Sequence, residues 1–304
     1  MLIDHAPAIW LAFAVTAGLL IAVDIGALGR TLRPPSTRLA AWWTIVVVAA
    51  AAGFCALIWW RNGSANAVTF ATGYVVELAL SVDNLLVFVL LFDYFSVPAS
   101  LQPTVLTWGI LGALVMRGVM VFAGVTLLRE VHWVLYLLGA LLVVTGARMA
   151  LRRGAPVDPA RNGFIRLVRR VLPVSDRFAG SAFVVRVGGR RLVTPLLVAV
   201  LAVEWTDLVF ATDSIPAIFA ITRDPFLVYT SNVFAVIGLR ALYFAVAGTL
   251  ARYAYLRVGV ALVLVLIGCK MLASPWVTIP TVTSLVAVAT IIGASIGMSV
   301  LRKE

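Results

Sequence analysis

The stretch YVVELALSVDNLLVFVLLF, residues 74–92, is the most informative part of the sequence because it places Glu77 and Asp83 inside an otherwise apolar run. Such a run is long enough, at about 1.5 Å per residue, to cross a bilayer as a helix. An ionised carboxylate near the middle of a bilayer costs about 3 kcal/mol on insertion scales, so it needs a partner, water or a bound cation. The stretch therefore predicts a membrane helix with a polar site inside the protein.

The whole chain follows this pattern, with 62% hydrophobic and only 12% charged residues. A soluble domain keeps about a quarter of its residues charged, so an ordinary globular enzyme is excluded. We place nine apolar stretches at 8–28, 39–60, 67–92, 104–128, 132–150, 193–221, 228–250, 256–273 and 279–301. The sequence predicts an all-α membrane protein with about nine transmembrane helices.

Lys and Arg are distributed unevenly between the two predicted membrane sides, 18 on one and 4 on the other. Cytoplasmic loops are enriched in these residues, which predicts an outside N-terminus and a cytoplasmic C-terminus. The segment 151–192 contains ten arginines and is expected to be a basic cytoplasmic loop that contacts water and lipid headgroups. The net charge of +11 does not indicate nucleic-acid binding, because the basic residues lie between apolar runs.

The chain also repeats itself. ELALSVDNLLVF from Glu77 matches DLVFATDSIPAIF from Asp207 at an offset of 130, and one helix later Arg117 matches Arg240. Three helices per unit are an odd number, so the second unit crosses in the opposite sense, as in inverted-repeat transporters. Similar composition of short apolar helices is the alternative explanation. We expect one membrane domain, 1–304, with two N-terminal helices at 8–60, a first unit at 67–150, the loop at 151–192, a second unit at 193–273 and a last helix at 279–301.

Acidic residues inside the predicted helices are the candidates for chemistry. There are six of them: Asp24, Glu77, Asp83, Glu204, Asp207 and Asp213. Pairing with Arg117 and Arg240 as structural counter-charges is the simpler explanation, but two arginines cannot neutralise five carboxylates in the repeat helices. The oxygen ligands, which include Asn84 and Ser214, suit hard divalent cations such as manganese, magnesium or calcium. We expect both arginines to face the acidic cluster.

The spacing of the acidic pairs limits how they can act. Glu77 and Asp83, like Asp207 and Asp213, are six residues apart, which places them about 240° apart around a regular helix. Either each carboxylate serves a different step or partner, or both helices are unwound at the motif. Pro216 favours a break in the second copy. We expect all four carboxylates to converge near the membrane centre, within reach of one ion.

Four strings carry a resemblance to a known family. They are ELALSVDN at Glu77–Asn84, WGILGALVMRG at Trp108–Gly118, EWTDLVFATDSIPAIFAIT at Glu204–Thr222 and DPFLVYTSNVFAVIGLRALYF at Asp224–Phe244. With them the chain resembles the TerC family of bacterial integral membrane proteins, and in particular its Alx-type members. The resemblance extends over most of the chain, and its two acidic motifs are specific.

The resemblance implies a polytopic inner-membrane protein connected with tellurite resistance, alkaline response and, in several members, manganese(II) efflux. The family's acidic motif positions correspond to Glu77, Asp83, Asn84, Glu204, Asp207, Asp213 and Ser214. In the first helix, members often carry Asp-Leu-Gly followed by His-Arg, where this chain has Asp24-Ile25-Gly26 and later Gly29-Arg30. Asp24 is therefore a weaker site candidate, with a helix-end residue near the interface as the alternative.

The favoured interpretation is an exporter of a divalent cation, manganese(II) first, that works by alternating access, with proton coupling left open. The alternatives are a non-transporting scaffold and a membrane redox or stress-response protein. Cys55 and Cys269 form no CxxC pair, and His5 and His132 lie at predicted helix ends, so thiol redox chemistry has no support. We expect no enzymatic activity, no permanent cofactor and no nucleic-acid partner. The expected partners are the cation and the bilayer; a partner for the basic loop and the oligomeric state are open.

Overall fold

The computed structural model describes residues 7–28, 35–130, 133–151, 167–168, 170–187, 189–246, 255–277 and 279–301. The side chains of a few residues inside the helices, Asp83 among them, lie outside this description. His5, His132 and the part of the basic loop at 152–166 lie outside it as well.

The described residues form nine long α-helices, each overlapping one predicted stretch. They are α1 (Pro7–Val23), α2 (Thr37–Asn62), α3 (Ser64–Tyr94), α4 (Gln102–Glu130), α5 (Val134–Leu151), α6 (Pro195–Phe219), α7 (Pro225–Val246), α8 (Leu256–Ala273) and α9 (Thr281–Leu301). After α1 the chain continues into a π-helical turn at Asp24–Leu28. The expectation of an all-α membrane protein is confirmed in its coarse form.

Six helical segments are long and apolar enough to cross a membrane. They are Pro7–Gly26, Thr37–Asn62, Gln102–Gly124, Pro195–Phe219, Pro225–Val246 and Thr281–Ser299. Tyr136–Leu151 and Val258–Ala273 are shorter apolar helices. Nine crossings and an inverted repeat therefore stay predictions.

Helix α7 lies at the centre of the bundle, since most of its residues are buried inside the protein. Its N-terminal half packs on α1, α2 and α3 through aromatic rings, with Phe234 in contact with Phe13, Phe54 and Phe70 at centroid distances of 5.2 to 6.0 Å. Such pairs add about 0.5 to 1.5 kcal/mol each beyond their area burial. The polar residues further along α7 are thereby held inside the protein.

Each helix of the first predicted unit packs against its counterpart in the second: α3 on α6, α4 on α7 and α5 on α8. The α5–α8 contact is the closest, because glycines face each other across it. A Cβ added at Gly268 would lie 2.7 Å from the Gly139 carbonyl oxygen, closer than real side chains approach. This contact brings the two units together side by side.

Of the two alternatives that the six-residue spacing left open, unwinding of both acidic helices at their motifs does not agree with the structure. Helix α3 runs unbroken through Glu77 and Asp83, and α6 runs unbroken through Asp207 and Asp213. Pro216 lies in the last turn of α6, which ends at Phe219. Proline has no N–H, so the usual hydrogen bond to the carbonyl oxygen four residues earlier is absent, and only three residues follow before the helix ends.

The basic loop contains a β-hairpin that the sequence analysis did not predict. Strands β1 (Val184–Val187) and β2 (Arg190–Val193) pair antiparallel, with Val187 opposite Arg190. Gly189 in the connection has φ 78°, a conformation that glycine adopts without strain. Arg186 and Arg191 form one cross-strand pair and are exposed.

Candidate functional site

Arg117 of α4 is the centre of a buried charge cluster. Its guanidinium donates from Nε to Asp207 Oδ2 at 3.0 Å and from Nη2 to Asp207 Oδ1 at 2.8 Å. Nη1 donates to Glu77 Oε1 and, at 3.2 Å, to Asn232 Oδ1. Four helices therefore supply the cluster: α3, α4, α6 and α7. The prediction that Arg117 faces the acidic residues agrees with this geometry.

The cluster is isolated from water and carries excess negative charge. Glu77 and Asn232 are 0% exposed, Arg117 is 1% exposed and Asp207 is 3% exposed. Two carboxylates face one guanidinium, so with all three ionised the cluster retains one negative charge. Buried charge of this kind is costly unless it is paired or binds a cation.

Several polar atoms around the cluster have no hydrogen bond among the described residues. They are Glu77 Oε2, Ser81 Oγ, Ser214 Oγ and Asn232 Nδ2. Ser81 follows Glu77 by one helical turn and therefore shares its face. The Ser214 hydroxyl lies beside the Glu77 carboxyl group, outside hydrogen-bond geometry. Three unused oxygen atoms thus lie close to the ion pairs.

The other acidic residues of α6 lie on either side of Asp207. Glu204, one turn earlier, packs its carboxylate against Gly112 of α4, where an added Cβ would lie 1.9 Å from Oε1. Asp213 accepts a hydrogen bond from the Thr145 hydroxyl of α5 at 3.2 Å. The structure brings Glu77 and Asp207 together on Arg117, whereas Asp213 has a partner on a different helix.

Arg240 does not face this cluster in the way that the sequence analysis expected. Its Nη1 donates to Asp24 Oδ2 at 2.8 Å and to the Asp24 carbonyl oxygen at 3.0 Å. The π-helical turn that follows α1 presents Asp24 to α7, so Arg240 finds a carboxylate outside the repeat helices. Asp24 is 6% exposed and pairs with Arg240 inside the bundle.

Asn84 is buried on α3, and the Asp83 side chain lies outside the described residues. Asn232 is the participant that sequence reasoning missed. An amide inside a predicted membrane helix was the available signal, since buried polar side chains need partners.

Within the described part of the chain, no three His, Cys, Asp or Glu side chains converge as a metal site. The ligands that the structure does offer are two carboxylates together with serine hydroxyls and an amide oxygen. Cys55 on α2 and Cys269 on α8 are both free.

Comparison with known proteins agrees with the pattern of buried charge in apolar helices. Residues 62–304 match the family described as "Integral membrane protein TerC family". The chain is 42% identical over 299 residues to "Uncharacterized membrane protein STKORF319" of Myxococcus xanthus, covering 98% of this chain and 94% of that protein.

Proteins named "Putative membrane-bound redox modulator Alx" are also similar. The one from Escherichia coli K12 is 42% identical over 289 residues, covering 92% of this chain and 90% of that protein. The one from Photorhabdus laumondii is 40% identical over 304 residues, covering 97% and 95%. No solved structure is significantly similar to the chain. With one family matched over residues 62–304 and relatives above 30% identity over nearly its whole length, the chain belongs to the TerC family of integral membrane proteins.

Proposed function

We propose that the protein exports a divalent metal cation, manganese(II), from the cytoplasm across the bacterial inner membrane by alternating access. It acts as a transporter and not as an enzyme, and it needs no permanent cofactor. Its partners are the cation and the lipid bilayer. The names of the Alx relatives point to a redox role, but Cys55 and Cys269 are both free and are not joined to each other, so the structure offers no disulfide to support that role.

One observation carries the proposal: Glu77 and Asp207, which match in the two predicted units, meet in the bundle interior on a single arginine. The pair leaves one negative charge uncompensated, and three unused oxygen atoms lie around it. Carboxylate and hydroxyl oxygens are the ligands that hard divalent cations prefer. A divalent cation that binds here would more than offset the one excess negative charge, and a further carboxylate such as that of Asp83, a proposed ligand, would balance the remaining positive charge.

Arg117 acts in this proposal as a built-in cation that keeps the site stable when no metal is bound. A divalent ion at Glu77 and Asp207 would compete with the guanidinium for carboxylate oxygens. Because removal of one partner from a buried ion pair costs about 3 to 5 kcal/mol, an anionic site without any counter-charge would not stay intact. Competition of this kind allows the metal to bind and to leave.

The carboxylates of α6 form a series along the helix axis. Glu204, Asp207 and Asp213 span nine residues, which is about 14 Å at 1.5 Å per residue. In the predicted orientation α6 begins at the cytoplasmic side, so Glu204 precedes the central pair and Asp213 follows it. Asp83 and Asn84 remain proposed ligands from α3, and Ser214 is proposed to supply a hydroxyl oxygen.

Manganese flux into proteoliposomes that contain only the purified protein tests the proposal, with a trapped dye that Mn²⁺ quenches. We expect saturable Mn²⁺ flux, and a loss of about tenfold or more in the Asp207→Asn, Asp83→Asn and Asp213→Asn variants, since an amide cannot offset the dehydration of a divalent ion. The matched control is Arg186→Gln with Arg191→Gln on the exposed hairpin.

Normal flux in the three aspartate variants would refute the transport mechanism. Loss of cellular manganese resistance in the hairpin variant alone, with flux intact, would favour the scaffold alternative. The pH gradient across the vesicle membrane is varied in the same assay, and a rate that depends on it indicates proton exchange.

A fluorescent protein fused to the C-terminus tests the proposed orientation in cells. A fusion that does not fluoresce would refute the proposed cytoplasmic C-terminus.

A further inference from the structure

Arg240 is a buried arginine that uses only part of its hydrogen-bonding capacity. It is 1% exposed, and only Nη1 has partners, namely the carboxylate and the carbonyl oxygen of Asp24. Nε and Nη2 make no hydrogen bond among the described residues. A buried donor without an acceptor is expensive, so an arrangement that supplied a second carboxylate to this guanidinium would be favourable.

A suitable second carboxylate lies across a small cavity. Arg240 and Asp207 line the same cavity of about 10 Å³, which is the size of one water molecule. They are the only charged residues among those that line it; the other walls include Phe88, Val203 and Leu239. In such an apolar setting the attraction between opposite charges is strong.

Asp207 can accept further hydrogen bonds. Arg117 uses one acceptor position on each of its oxygens, whereas a carboxylate offers about four lone-pair sites. A carboxylate shared between two guanidinium groups is therefore chemically reasonable.

The predicted repeat provides an independent argument. Arg117 and Arg240 occupy matching positions in the two units, as do Glu77 and Asp207, and Arg117 binds Glu77, the carboxylate of its own unit. If both arginines followed the same rule, Arg240 would bind Asp207. The difference between them is Asp24, which comes from outside the repeat and holds Arg240 at a distance from the central pair.

We propose that Asp24 and Asp207 are alternative partners of Arg240, and that the exchange controls the affinity of the site for its cation. While Arg240 is bound to Asp24, only Arg117 competes with a metal ion for Asp207. When Arg240 turns towards Asp207, a second tethered positive charge competes with the metal and promotes its release. Asp24 is thus a positioning residue that acts through Arg240. This inference rests on the proposed cation transport.

Kinetics of Mn²⁺ transport in proteoliposomes test the exchange through the KM and kcat of three variants. In Asp24→Asn, Arg240 loses its anionic partner and should compete permanently for Asp207, so KM should rise about tenfold, equivalent to about 1.4 kcal/mol. In Asp24→Asn with Arg240→Gln the competitor is gone, and KM should return close to the wild-type value. Asp93→Asn, an exposed acid in the last turn of α3, is the matched control and should leave KM unchanged.

A purely structural ion pair predicts a different result. It lowers the amount of folded protein in Asp24→Asn, while the folded fraction keeps its KM. An unchanged KM in Asp24→Asn, or an equally raised KM in the double variant, overturns the inference. If Asp24→Asn does not fold, the KM and kcat of Arg240→Gln test the exchange in its place. The exchange predicts a KM at or below that of wild type together with a lower kcat, because release is slowed; a raised KM refutes it.

Failure of the proposed function has a separate signature, because wild-type protein would then show no Mn²⁺ flux. Thermal unfolding without metal then tests the exchange alone. In the wild-type background, the change in melting temperature of the Arg240→Gln, Asp207→Asn double variant should be close to the sum of the two single changes. In the Asp24→Asn background, it should differ from that sum by several degrees. Equal coupling in both backgrounds would overturn the inference whatever the flux assay shows.

Discussion

Arg117 holds Asp207 through two parallel hydrogen bonds, Nε to Oδ2 at 3.0 Å and Nη2 to Oδ1 at 2.8 Å, across 90 residues of sequence. Arg117 comes from α4, the arginine helix of the first predicted unit, and Asp207 comes from α6, the acidic helix of the second. A planar guanidinium matches a carboxylate in this two-point geometry, which lysine cannot reproduce. The pair therefore joins the two units at the place where the charge is buried.

Replacement of Arg117 with lysine keeps the positive charge but removes the two parallel hydrogen bonds to Asp207. We expect Arg117→Lys to lower stability by about 3 kcal/mol, because Asp207 and Glu77 lose hydrogen bonds that no other described residue replaces. Thermal unfolding in detergent measures the change. Arg186→Lys, on the exposed strand β1, should have no measurable effect on stability. Equal losses of stability in the two variants would contradict the role of the two-point hydrogen bonding by Arg117.

Gly112→Ala should displace Glu204. The new Cβ would lie 1.9 Å from Glu204 Oε1, and the flexible carboxylate has to move away. We expect Mn²⁺ transport to slow by about threefold to tenfold with a stability loss below about 1.5 kcal/mol, since a side-chain tip gives way more easily than backbone.

The matched control for Gly112→Ala is Gly53→Ala on α2, where an added Cβ meets nothing within 4 Å. In a Glu204→Ala background, Gly112→Ala should have no further effect on the rate. A full additional loss in that background would show that Gly112 acts through something other than Glu204.

Gly268→Ala should separate α5 from α8. Its Cβ would lie 2.7 Å from the Gly139 carbonyl oxygen and 2.9 Å from the Val143 nitrogen, and neither backbone atom can turn aside. Overpacking of this kind costs about 1 to 3 kcal/mol. The unfolding midpoint should fall, whereas Gly53→Ala should leave it unchanged or raise it slightly; stability equal to wild type in Gly268→Ala would disprove the close contact.

Thr145→Val tests whether Asp213 needs its hydrogen bond from Thr145 or only its negative charge. Valine has the shape of threonine but cannot donate, so Asp213 loses its 3.2 Å hydrogen bond and keeps its carboxylate. We expect a stability loss of about 1 kcal/mol, the usual net contribution of one such bond, with Mn²⁺ flux preserved. Loss of flux as complete as in Asp213→Asn would mean that the orientation of Asp213 by Thr145 is itself essential.

The helices and the acidic positions could be predicted from the sequence, because both depend on local information. Long apolar runs form helices wherever they lie in the chain, and the nine predicted stretches each overlap a helix of the described residues. The six-residue spacing places Asp207 and Asp213 on different faces of a regular helix, and the structure gives them different partners, Arg117 and Thr145.

Which of the buried charges meet depends on the tertiary structure and could not be read from local sequence. Arg117 and Arg240 look equivalent in the sequence, yet one binds Glu77 and Asp207 while the other binds Asp24, 216 residues away. This choice depends on how each helix is rotated and which helix lies next to it, and packing sets both over long sequence distances. The continuity of α6 through its motif, despite Pro216, has the same origin, because contacts with the surrounding helices outweigh a local tendency to break.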